Sequence, residues 1–346
     1  MQHDFQAIVD GGRTVAADSA AAYMAAARLY YDEGLTQHEV AKRLSVSRST
    51  VSRLLQLARD NDIVRIEVRA PSPAAGLSAD LAAELGLQRA VVVPAQGPRA
   101  GLQALVAPAL DELARTELAA GDVLAVSWGK TVWEIAQAQR FPSLRGVRLV
   151  PAVGGMDEDD VRFQPNEIAR RVAAASGGEV SFLHAPALPS PELRRSLLSD
   201  PQIAERLALW NRIDTALVGI GMPPAALGVG PAHVLAAREA LAAAVGDVAS
   251  RHFDMAGEPV ELPHEDMLLA VTRAQLRNAG TVIGVAAGPE KAASIIGAAR
   301  ARLVDVLVTD AVTASAALEM LRAAPMIDAA FSGPAATPMT VPALRS

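Results

Sequence analysis

The sequence predicts an α/β protein with an N-terminal winged helix-turn-helix and a larger, Rossmann-like domain built on a mostly parallel sheet. Three observations predict this fold. Residues 35–55 have the pattern of two short helices around a tight turn. Beyond about residue 77, apolar strand-like runs alternate with helical segments, which is typical of parallel sheets covered on both faces. The chain has 346 residues, enough for two or three domains.

Composition restricts the possible functions. Apolar residues make up 51% of the chain and aromatic residues only 3%, so aliphatic side chains must fill the cores. The absence of cysteine excludes disulfides, thiolate metal sites and thiol nucleophiles, and it fits a reducing cytosol. The N-terminus lacks the features of a signal peptide, and no apolar run approaches the ~18–20 residues that span a bilayer. We therefore expect a cytoplasmic protein without metal or cofactor.

The N-terminal domain is predicted to cover residues 19–70. Residues 1–18 are polar and unpatterned, and a disordered tail is expected there. Helical spacing predicts a first helix over residues 20–33. Alternating apolar and polar residues over 63–69 predict a strand that would form the wing. Residues 71–76 are predicted to be a linker because they contain two prolines and a glycine.

Capping residues mark the starts of the next two helices. Residues 36–39, Thr-Gln-His-Glu, form a capping box, and Ser47 is placed to cap the second helix of the pair. The turn carries Ser45, a position where glycine is frequent in such motifs. The apolar positions that let the two helices cross closely are Ala41, Leu44, Val46, Val51 and Leu54.

The charge distribution favours DNA binding although the net charge of the whole chain is −6. Residues 40–59 contain five basic residues and no acidic one, and local positive potential is what phosphate contacts require. The side chains predicted to contact DNA are Thr36, Gln37, Ser47, Arg48, Ser49, Thr50, Ser52 and Arg53, with Arg65 from the wing. The alternative is an ordinary solvated helix pair. The caps, the apolar register and the acid-free basic stretch coincide here and favour operator DNA as a partner.

The second domain is predicted to cover residues 77–324. Strands are predicted at 90–93, 123–127, 147–151, 180–183, 215–220, 281–286 and 304–309, and helices at 101–119, 130–139, 166–176, 232–244, 290–301 and 314–323. Ligands of such sheets bind at the carboxyl ends of the strands, often against helix N-termini. Residues 325–346 are rich in Pro, Ala and Gly and are predicted to be a disordered tail.

Three strand-end turns carry candidate ligand residues. Residues 127–131, Ser-Trp-Gly-Lys-Thr, join a strand to a helix and could hold an anion through backbone N–H groups and the side chains of Ser127, Lys130 and Thr131. The spacing is not that of a Walker loop. The other two turns contain Gly154-Gly155, and Gly288 followed by Lys291. Each turn could equally be a plain structural connection.

Several segments together resemble a known family. They are the helix-turn-helix, VSWGKT at 126–131, VGG at 153–155, QPNEIARRVA at 164–173, LVGIGMP at 217–223, VGDVASRHFDMAGEPV at 245–260, VAAGPEK at 285–291 and VLVTDAVTA at 306–314. In order and spacing, the stretch from Tyr23 to Leu321 resembles the SorC family of sugar-responsive bacterial transcriptional regulators.

The resemblance implies an effector domain related to sugar-phosphate isomerases, a homo-oligomer that is usually a tetramer, and a phosphorylated sugar or related polyol as effector. By motif match, the phosphate would contact Gly129, Lys130 and Thr131, and the sugar would contact Gly154, Gln164, Asp247 and Lys291. Ser127, Gly155 and Gly288 belong to the same turns and are included in the candidate site. Three positions, Val153, Ala287 and Ala311, depart from the expected pattern. Val153 stands where some relatives carry an arginine, which makes a ligand with two phosphates less favourable.

Two other functions stay open. A sugar-phosphate isomerase-like enzyme with an accessory DNA-binding head would need a general acid and a general base, which Asp247 and Lys291 could supply. A constitutive DNA-binding protein with a structural oligomerisation domain would bind no effector. We rank both below a regulator whose operator affinity is controlled by the effector, because the residues show no dense set of catalytic groups or metal ligands.

Overall fold

The structure is a computed structural model that describes residues 7–10, 13–16, 19–61, 63–64, 73–94, 101–157, 159–222, 237, 239–261, 263 and 265–331. Contacts between Cα atoms divide the chain into two compact units, residues 1–70 and residues 71–346.

The first unit is a small helical domain preceded by a hairpin. Its elements are β1 (Ala7–Asp10), β2 (Arg13–Ala16), α1 (Ala20–Ala27) with a π-helical turn over Arg28–Asp32, α2 (Gln37–Arg43) and α3 (Arg48–Asp60). Strands β1 and β2 are antiparallel and pair Ala7 with Ala16. The structure thus differs from the disordered tail predicted for residues 1–18. Two glycines, Gly11 and Gly12, separate two runs with β-branched residues, a hairpin signal that the prediction overlooked.

The three helices of this unit enclose an apolar core. The core consists of Ala22, Ala26, Leu29, Val40, Ala41, Leu44, Val51, Leu54 and Leu55, each no more than 9% exposed. Ala41 of α2 belongs to this core, where its small side chain lets the helices pack closely. Of the five apolar positions predicted, Val46 is partly buried and packs against this core. The predicted wing strand over residues 63–69 lies mostly outside the described residues, which include Ile63 and Val64 but not Arg65.

The second unit alternates helices and strands. Its helices are α4 (Pro73–Leu85), α5 (Gln103–Arg115), α6 (Lys130–Ala136), α7 (Pro165–Ser176), α8 (Pro191–Ser199), α9 (Pro201–Ala208), α10 (Arg273–Arg277), α11 (Ala292–Arg300) and α12 (Ala311–Phe331). Its strands are β3 (Arg89–Val93), β4 (Val123–Val126), β5 (Arg148–Pro151), β6 (Glu179–Val180), β7 (Thr215–Gly219), β8 (Gly246–Val248), β9 (Arg251–Phe253), β10 (Thr281–Val285) and β11 (Val306–Asp310).

Seven of these strands form one parallel sheet, in the order β3-β11-β10-β7-β4-β5-β6. Successive residues of β4 point to opposite faces, and both faces are covered: Val123 and Ala125 belong to one apolar core, Leu124 and Val126 to the other. Burial on both faces explains why these strands are nearly continuous apolar runs in the sequence.

All seven strands are parallel, but the side of the sheet on which the chain adds its next strand changes between β4 and β7. From β4 the chain moves outward through β5 and β6, and from β7 it moves in the opposite direction through β10 and β11. Because β4 and β7 are neighbours, their carboxyl ends form the topological switch point at which open α/β sheets bind ligands.

Several boundaries differ from the prediction. Helix α4 begins at Pro73, inside the predicted linker 71–76, because proline is favoured in the first helical turn and Leu77, Leu81 and Leu85 recur at four-residue spacing against the core. Helix α12 continues to Phe331, whereas a disordered tail was predicted from residue 325. Most of the helix predicted over 232–244 lies outside the described residues. The helices α8 and α9 and the hairpin β8–β9 were not predicted.

Candidate functional site

The helix pair of the first unit is held by two caps. The Glu39 N–H donates to Thr36 Oγ1 at 3.4 Å, and the Thr36 N–H donates to the Glu39 carboxylate at 2.7 Å. The Thr36 N–H and the Thr36 hydroxyl, which both donate to the Glu39 carboxylate, lower the pKa of Glu39 below its usual value. The Thr50 N–H donates to Ser47 Oγ at 3.1 Å and starts α3. Thr36 and Ser47 therefore cap the N-termini of α2 and α3.

The outer face of α3 presents the predicted DNA-contacting side chains. Arg48, Ser49, Ser52 and Arg53 are exposed, and Thr50 is half-buried. The Ser47 hydroxyl lies 2.8 Å from the Ser49 hydroxyl and 2.7 Å from that of Thr50. At the start of α2, Thr36 is exposed and Gln37 is half-buried. The predicted residues on α3 thus share one exposed face at the N-terminal half of a helix whose other face is core, the arrangement of a recognition helix.

The turn after β4 leaves backbone donors without acceptors. Gly129 has φ of 99°, a conformation that L-residues rarely adopt, and its N–H donates to the Arg162 carbonyl at 2.8 Å. The next three N–H groups, those of Lys130, Thr131 and Val132, have no acceptor in the part of the chain that the structure describes. They belong to the first turn of α6, where an anion would satisfy them.

The end of β7 forms the opposite side of this position. Gly219 faces Thr131, because a Cβ on Gly219 would lie 3.6 Å from Thr131 Cβ. The Ile220 carbonyl accepts a hydrogen bond from Lys291 Nζ at 2.6 Å. The Gly221 N–H donates to the Asp247 carbonyl at 2.8 Å, and a Cβ on Gly221 would lie only 1.7 Å from Asp247 Oδ1. Only glycine at 221 therefore leaves room for this carboxylate.

A tight hairpin holds Asp247 and connects it to the turn after β4. The β8–β9 pairing places Val248 opposite Arg251, so Ala249 and Ser250 form a two-residue loop, and their φ values are 50° and 65°. The Ser250 N–H donates to Asp247 Oδ2 at 3.0 Å. The Trp128 indole N–H donates to Ser250 Oγ at 3.3 Å. The first hydrogen bond closes the strained loop onto β8, and the second ties the loop to the turn after β4.

The charges at this position influence one another. The pKa of Lys291 is lowered to about 8; burial is the main cause and Lys130 adds to it, while Asp247 and Glu290 act in the opposite direction. Lys130 is exposed and also lies near enough to Asp160 to affect its pKa. We call the group formed by residues 129–132, residues 219–221, Asp247 and Lys291 the switch-point site.

Other predicted residues have their polar groups engaged elsewhere. The N–H groups of Gly154 and Gly155 donate to the carbonyls of Leu269 and Ala185, each at 2.8 Å, and a Cβ on Gly154 would clash with Ala185. The side chain of Gln164 donates to the Met156 carbonyl at 3.0 Å.

The N–H of Gly288 is engaged in the same way, whereas Ser127, directly before Trp128, is buried and its N–H bonds to strand β7 of the sheet. The Gly288 N–H donates to Thr313 Oγ1 at 2.8 Å, and the Ser127 N–H donates to the Leu217 carbonyl at 3.0 Å. Of the predicted effector residues, the structure therefore brings together Gly129, Lys130, Thr131, Asp247 and Lys291.

The sequence analysis did not single out several residues of this arrangement, among them Gly221, Trp128 and Ser250. Gly221 belongs to the segment LVGIGMP, whose two glycines after a strand were an available signal. Trp128 and Ser250 meet only through tertiary structure, 122 residues apart, and no local pattern predicts their hydrogen bond.

The described residues contain neither a metal-binding cluster nor a membrane-spanning helix. No group of three or more His, Asp or Glu side chains there could hold a metal ion. None of the helices described combines the length and apolar character needed to cross a membrane.

Comparison with known proteins decides the family. The family model for a sugar-binding domain, Sugar-bind, matches residues 71–319, and the model for sigma-70 region 4 matches residues 28–61. The sorbitol operon regulator of Klebsiella pneumoniae is 32% identical over 311 residues, which cover 85% of this chain and 96% of that protein. The chain belongs to the SorC family of transcriptional regulators. The SorC-family relatives include the deoxyribonucleoside regulator of Bacillus subtilis, 31% identical over 84% of this chain and 95% of that protein.

Solved structures of SorC-family proteins confirm the fold. The full-length sorbitol operon regulator SorC from Klebsiella pneumoniae has a TM-score of 0.64 at 30% identity and covers 86% of this chain and 98% of that one. The sor operon regulator from Shigella flexneri has a TM-score of 0.62 at 29% identity over 71% of this chain and all of that one. The predicted α/β architecture with an N-terminal helix-turn-helix is confirmed, and the family favours a regulator over an isomerase.

Proposed function

We propose that this SorC-family regulator binds a phosphorylated sugar, or a related polyol phosphate, at the switch-point site, and that this ligand controls its affinity for operator DNA. The observation that carries the proposal is the set of three N–H groups at the start of α6 that have no acceptor among the described residues, beside Lys130 and opposite Lys291. A phosphate monoester matches such donors in charge and hydrogen-bonding capacity.

Different residues of the site would bind the phosphate and the sugar of the ligand. The N–H groups of α6, the Thr131 hydroxyl and the Lys130 ammonium would hold the phosphate. The Asp247 carboxylate would accept from sugar hydroxyls, since Oδ1 points over Gly221 while Oδ2 is engaged by Ser250. Lys291 would contact an oxygen of the sugar or its phosphate.

On the DNA side, we propose that α3 enters the major groove, with Arg48, Ser49, Ser52 and Arg53 facing bases or phosphates. Thr50, Gln37 and the Ser47 and Thr36 hydroxyls lie at the edge of that face and would contact phosphates. We further propose that the protein acts in the cytoplasm as a homo-oligomer, because paired heads are needed to read paired half-sites.

Control of DNA binding requires that the ligand prefer one arrangement of the oligomer. A typical coupling free energy of ~1–3 kcal/mol would change operator affinity by roughly 5- to 150-fold.

A thermal-shift screen of sugar phosphates and the corresponding free sugars tests the ligand class. We expect a phosphorylated sugar to raise the melting temperature of the second unit and its unphosphorylated form to do so much less. Thr131→Val should remove this shift because the hydroxyl donor is lost, and the matched variant Thr131→Ser should retain it. No shift with any phosphorylated sugar, or an equal shift in Thr131→Val, would contradict the assignment.

We also propose that the site binds its ligand without converting it. An isomerase using Asp247 and Lys291 would exchange the proton on the sugar carbon next to the carbonyl with solvent deuterium. We expect no such exchange by NMR for any sugar phosphate that stabilises the protein. Exchange at that carbon that depends on Asp247 would instead establish an enzyme.

A further inference from the structure

A second cavity lies in the larger unit, apart from every residue of the switch-point site. Its volume is about 780 Å³, within the range of small-molecule sites. One wall comes from α8, α9 and the turn over Leu209–Arg212, and the other from residues 265–275. Apolar side chains, among them Leu198, Leu207, Trp210, Leu268 and Leu269, provide much of the lining.

The cavity contains a cation, Arg194, that has no ion pair among the described residues. Arg194 lines it, its Nε is buried without a hydrogen-bond partner, and no carboxylate among the described residues lies within 4.0 Å of its guanidinium. A buried, unbonded guanidinium nitrogen is costly, so an anionic ligand would stabilise it.

A neighbouring ion cluster adds positive charge. Arg251 and Arg273 both donate to the same oxygen of Glu265, at 2.9 and 2.6 Å, so one carboxylate faces two guanidinium groups. Arg251 and Glu265 are almost fully buried, with side chains 6% and 8% exposed. The Arg273 Nε is also buried and unbonded among the described residues.

The acids of the lining limit the charge of the ligand. Glu261 and Asp266 are exposed members of the cavity wall. Their negative charges would repel an anion that carries several charges. The charge pattern favours a ligand with one anionic group and an apolar body.

We propose that this cavity is a second small-molecule site, distinct from the switch-point site, and that it binds an organic monoanion whose carboxylate, sulfonate or phosphate group pairs with Arg194. The site shares the β8–β9 hairpin with the switch-point site, because Arg251 lies on β9 and Asp247 on β8. The two sites nevertheless use different residues and can be tested separately.

The test uses the full-length chain and the fluorescent sulfonate 8-anilinonaphthalene-1-sulfonate, an apolar monoanion. Arg194→Ala should weaken its binding about tenfold or more, because a charge-assisted hydrogen bond is lost. Arg195→Ala is the matched control, since Arg195 is the next residue, is exposed and pairs only weakly with Glu192 at 3.7 Å. The control should bind the probe as the wild type does.

Two further variants keep the test decisive. Ala208→Trp adds bulk to the cavity wall at an exposed position and should abolish binding while circular dichroism shows an intact fold. Thr131→Val should leave probe binding unchanged, because it alters only the switch-point site. Equal probe affinity in Arg194→Ala and Arg195→Ala, or loss of binding in Thr131→Val, would overturn the proposal. So would a change of assembly mass in Arg194→Ala by sedimentation, which would make the cavity a contact between copies of the chain.

Discussion

At the scale of single residues, Asp247 shows how the switch-point site is assembled from distant segments. Its carbonyl accepts from Gly221, one carboxylate oxygen accepts from Ser250, and the other lies over the Gly221 backbone. The carboxylate can occupy this position only because residue 221 has no side chain.

The variant Gly221→Ala should displace the Asp247 carboxylate and weaken effector binding about tenfold or more, because a well-placed charged hydrogen-bond acceptor is worth ~1.5–3 kcal/mol. The fold should survive, since the clash is with the movable end of an aspartate. Gly219→Ala is the control, because its Cβ would meet Thr131 at an ordinary 3.6 Å. Calorimetric titration with the stabilising sugar phosphate measures both. Full affinity in Gly221→Ala would show that Asp247 does not contact the ligand.

The charge of Lys291 should make the effector affinity depend on pH. Burial lowers its pKa to about 8, so the ammonium is mostly present at pH 7, is half lost at about pH 8 and disappears as the pH rises further. The phosphate group is already doubly ionised above pH 7, so its charge stays constant in this range. Effector affinity should therefore decline only slightly, about twofold, from pH 7 to 8 and fall more steeply above it, by up to about tenfold per pH unit.

The matched variant for this test is Lys291→Arg, whose guanidinium stays charged at every pH used. Its affinity should be nearly constant between pH 7 and 9.5, whatever its absolute value. A wild-type affinity that does not change from pH 8 to 9.5 would mean that the charge of Lys291 does not contribute to binding.

At the scale of elements, the turn between α2 and α3 is closed by a residue in an unfavourable conformation. Ser45 has φ of 55°, and Val46 and Ser45 donate to the carbonyls of Ala41 and Lys42, the pattern of a Schellman cap. Glycine is the usual residue there because the left-handed conformation costs other residues ~1–2 kcal/mol.

The variant Ser45→Gly should stabilise the first unit by ~0.5–1 kcal/mol, after allowance for the greater freedom of glycine in the unfolded chain. Hydrogen exchange of amides in α2 and α3 should then slow by roughly two- to fivefold if it proceeds through unfolding of the unit. Ser45→Val, with a β-branched side chain, should have the opposite effect. Faster exchange in Ser45→Gly would show that the serine side chain itself stabilises the turn.

Arg48, at the start of α3, is predicted to contact DNA. Arg48→Ala should weaken operator binding about tenfold and, if Arg48 contacts a phosphate, reduce the salt-dependence slope by about 1. Arg59→Ala is the control, because Arg59 lies at the other end of α3 and donates to Tyr31 Oη and Gln56 Oε1 at 3.2 and 2.7 Å. Fluorescence anisotropy at several salt concentrations measures both. Unchanged affinity in Arg48→Ala would mean that a different part of α3 faces the DNA.

Elements were predictable where one local signal dominates. The central strands of the parallel sheet are buried runs such as Val123–Val126 and Thr215–Gly219, and burial on both faces leaves a clear apolar pattern. Helix α4 was hidden by Pro73 and Gly76, which also occur in linkers. The hairpin β8–β9 was hidden because Ala249 and Ser250 are not residues that favour its loop conformation; hydrogen bonds of Ser250 with Asp247 of β8 and with Trp128 hold the loop.

At the scale of the whole molecule, two units with different chemistry belong to one chain. The first presents an exposed basic helix, and the second holds backbone donors, lysines and an aspartate at the switch point of a parallel sheet. The motifs predicted the backbone turn, Asp247 and Lys291, because each lies at a strand end or in a recognisable segment. They could not predict that the N–H groups of Gly154, Gly155 and Gly288 are engaged by protein acceptors, since those partners come from other parts of the fold.

The central claim is that a phosphorylated ligand at the switch-point site changes operator affinity. The most direct measurement is the anisotropy of a selected operator DNA titrated with the full-length wild type and with Thr131→Val, each with and without the stabilising sugar phosphate. We predict a change of roughly 5- to 150-fold in the wild type and none in Thr131→Val, with equal basal affinities. An unchanged wild-type affinity, or the same response in Thr131→Val, would contradict the claim.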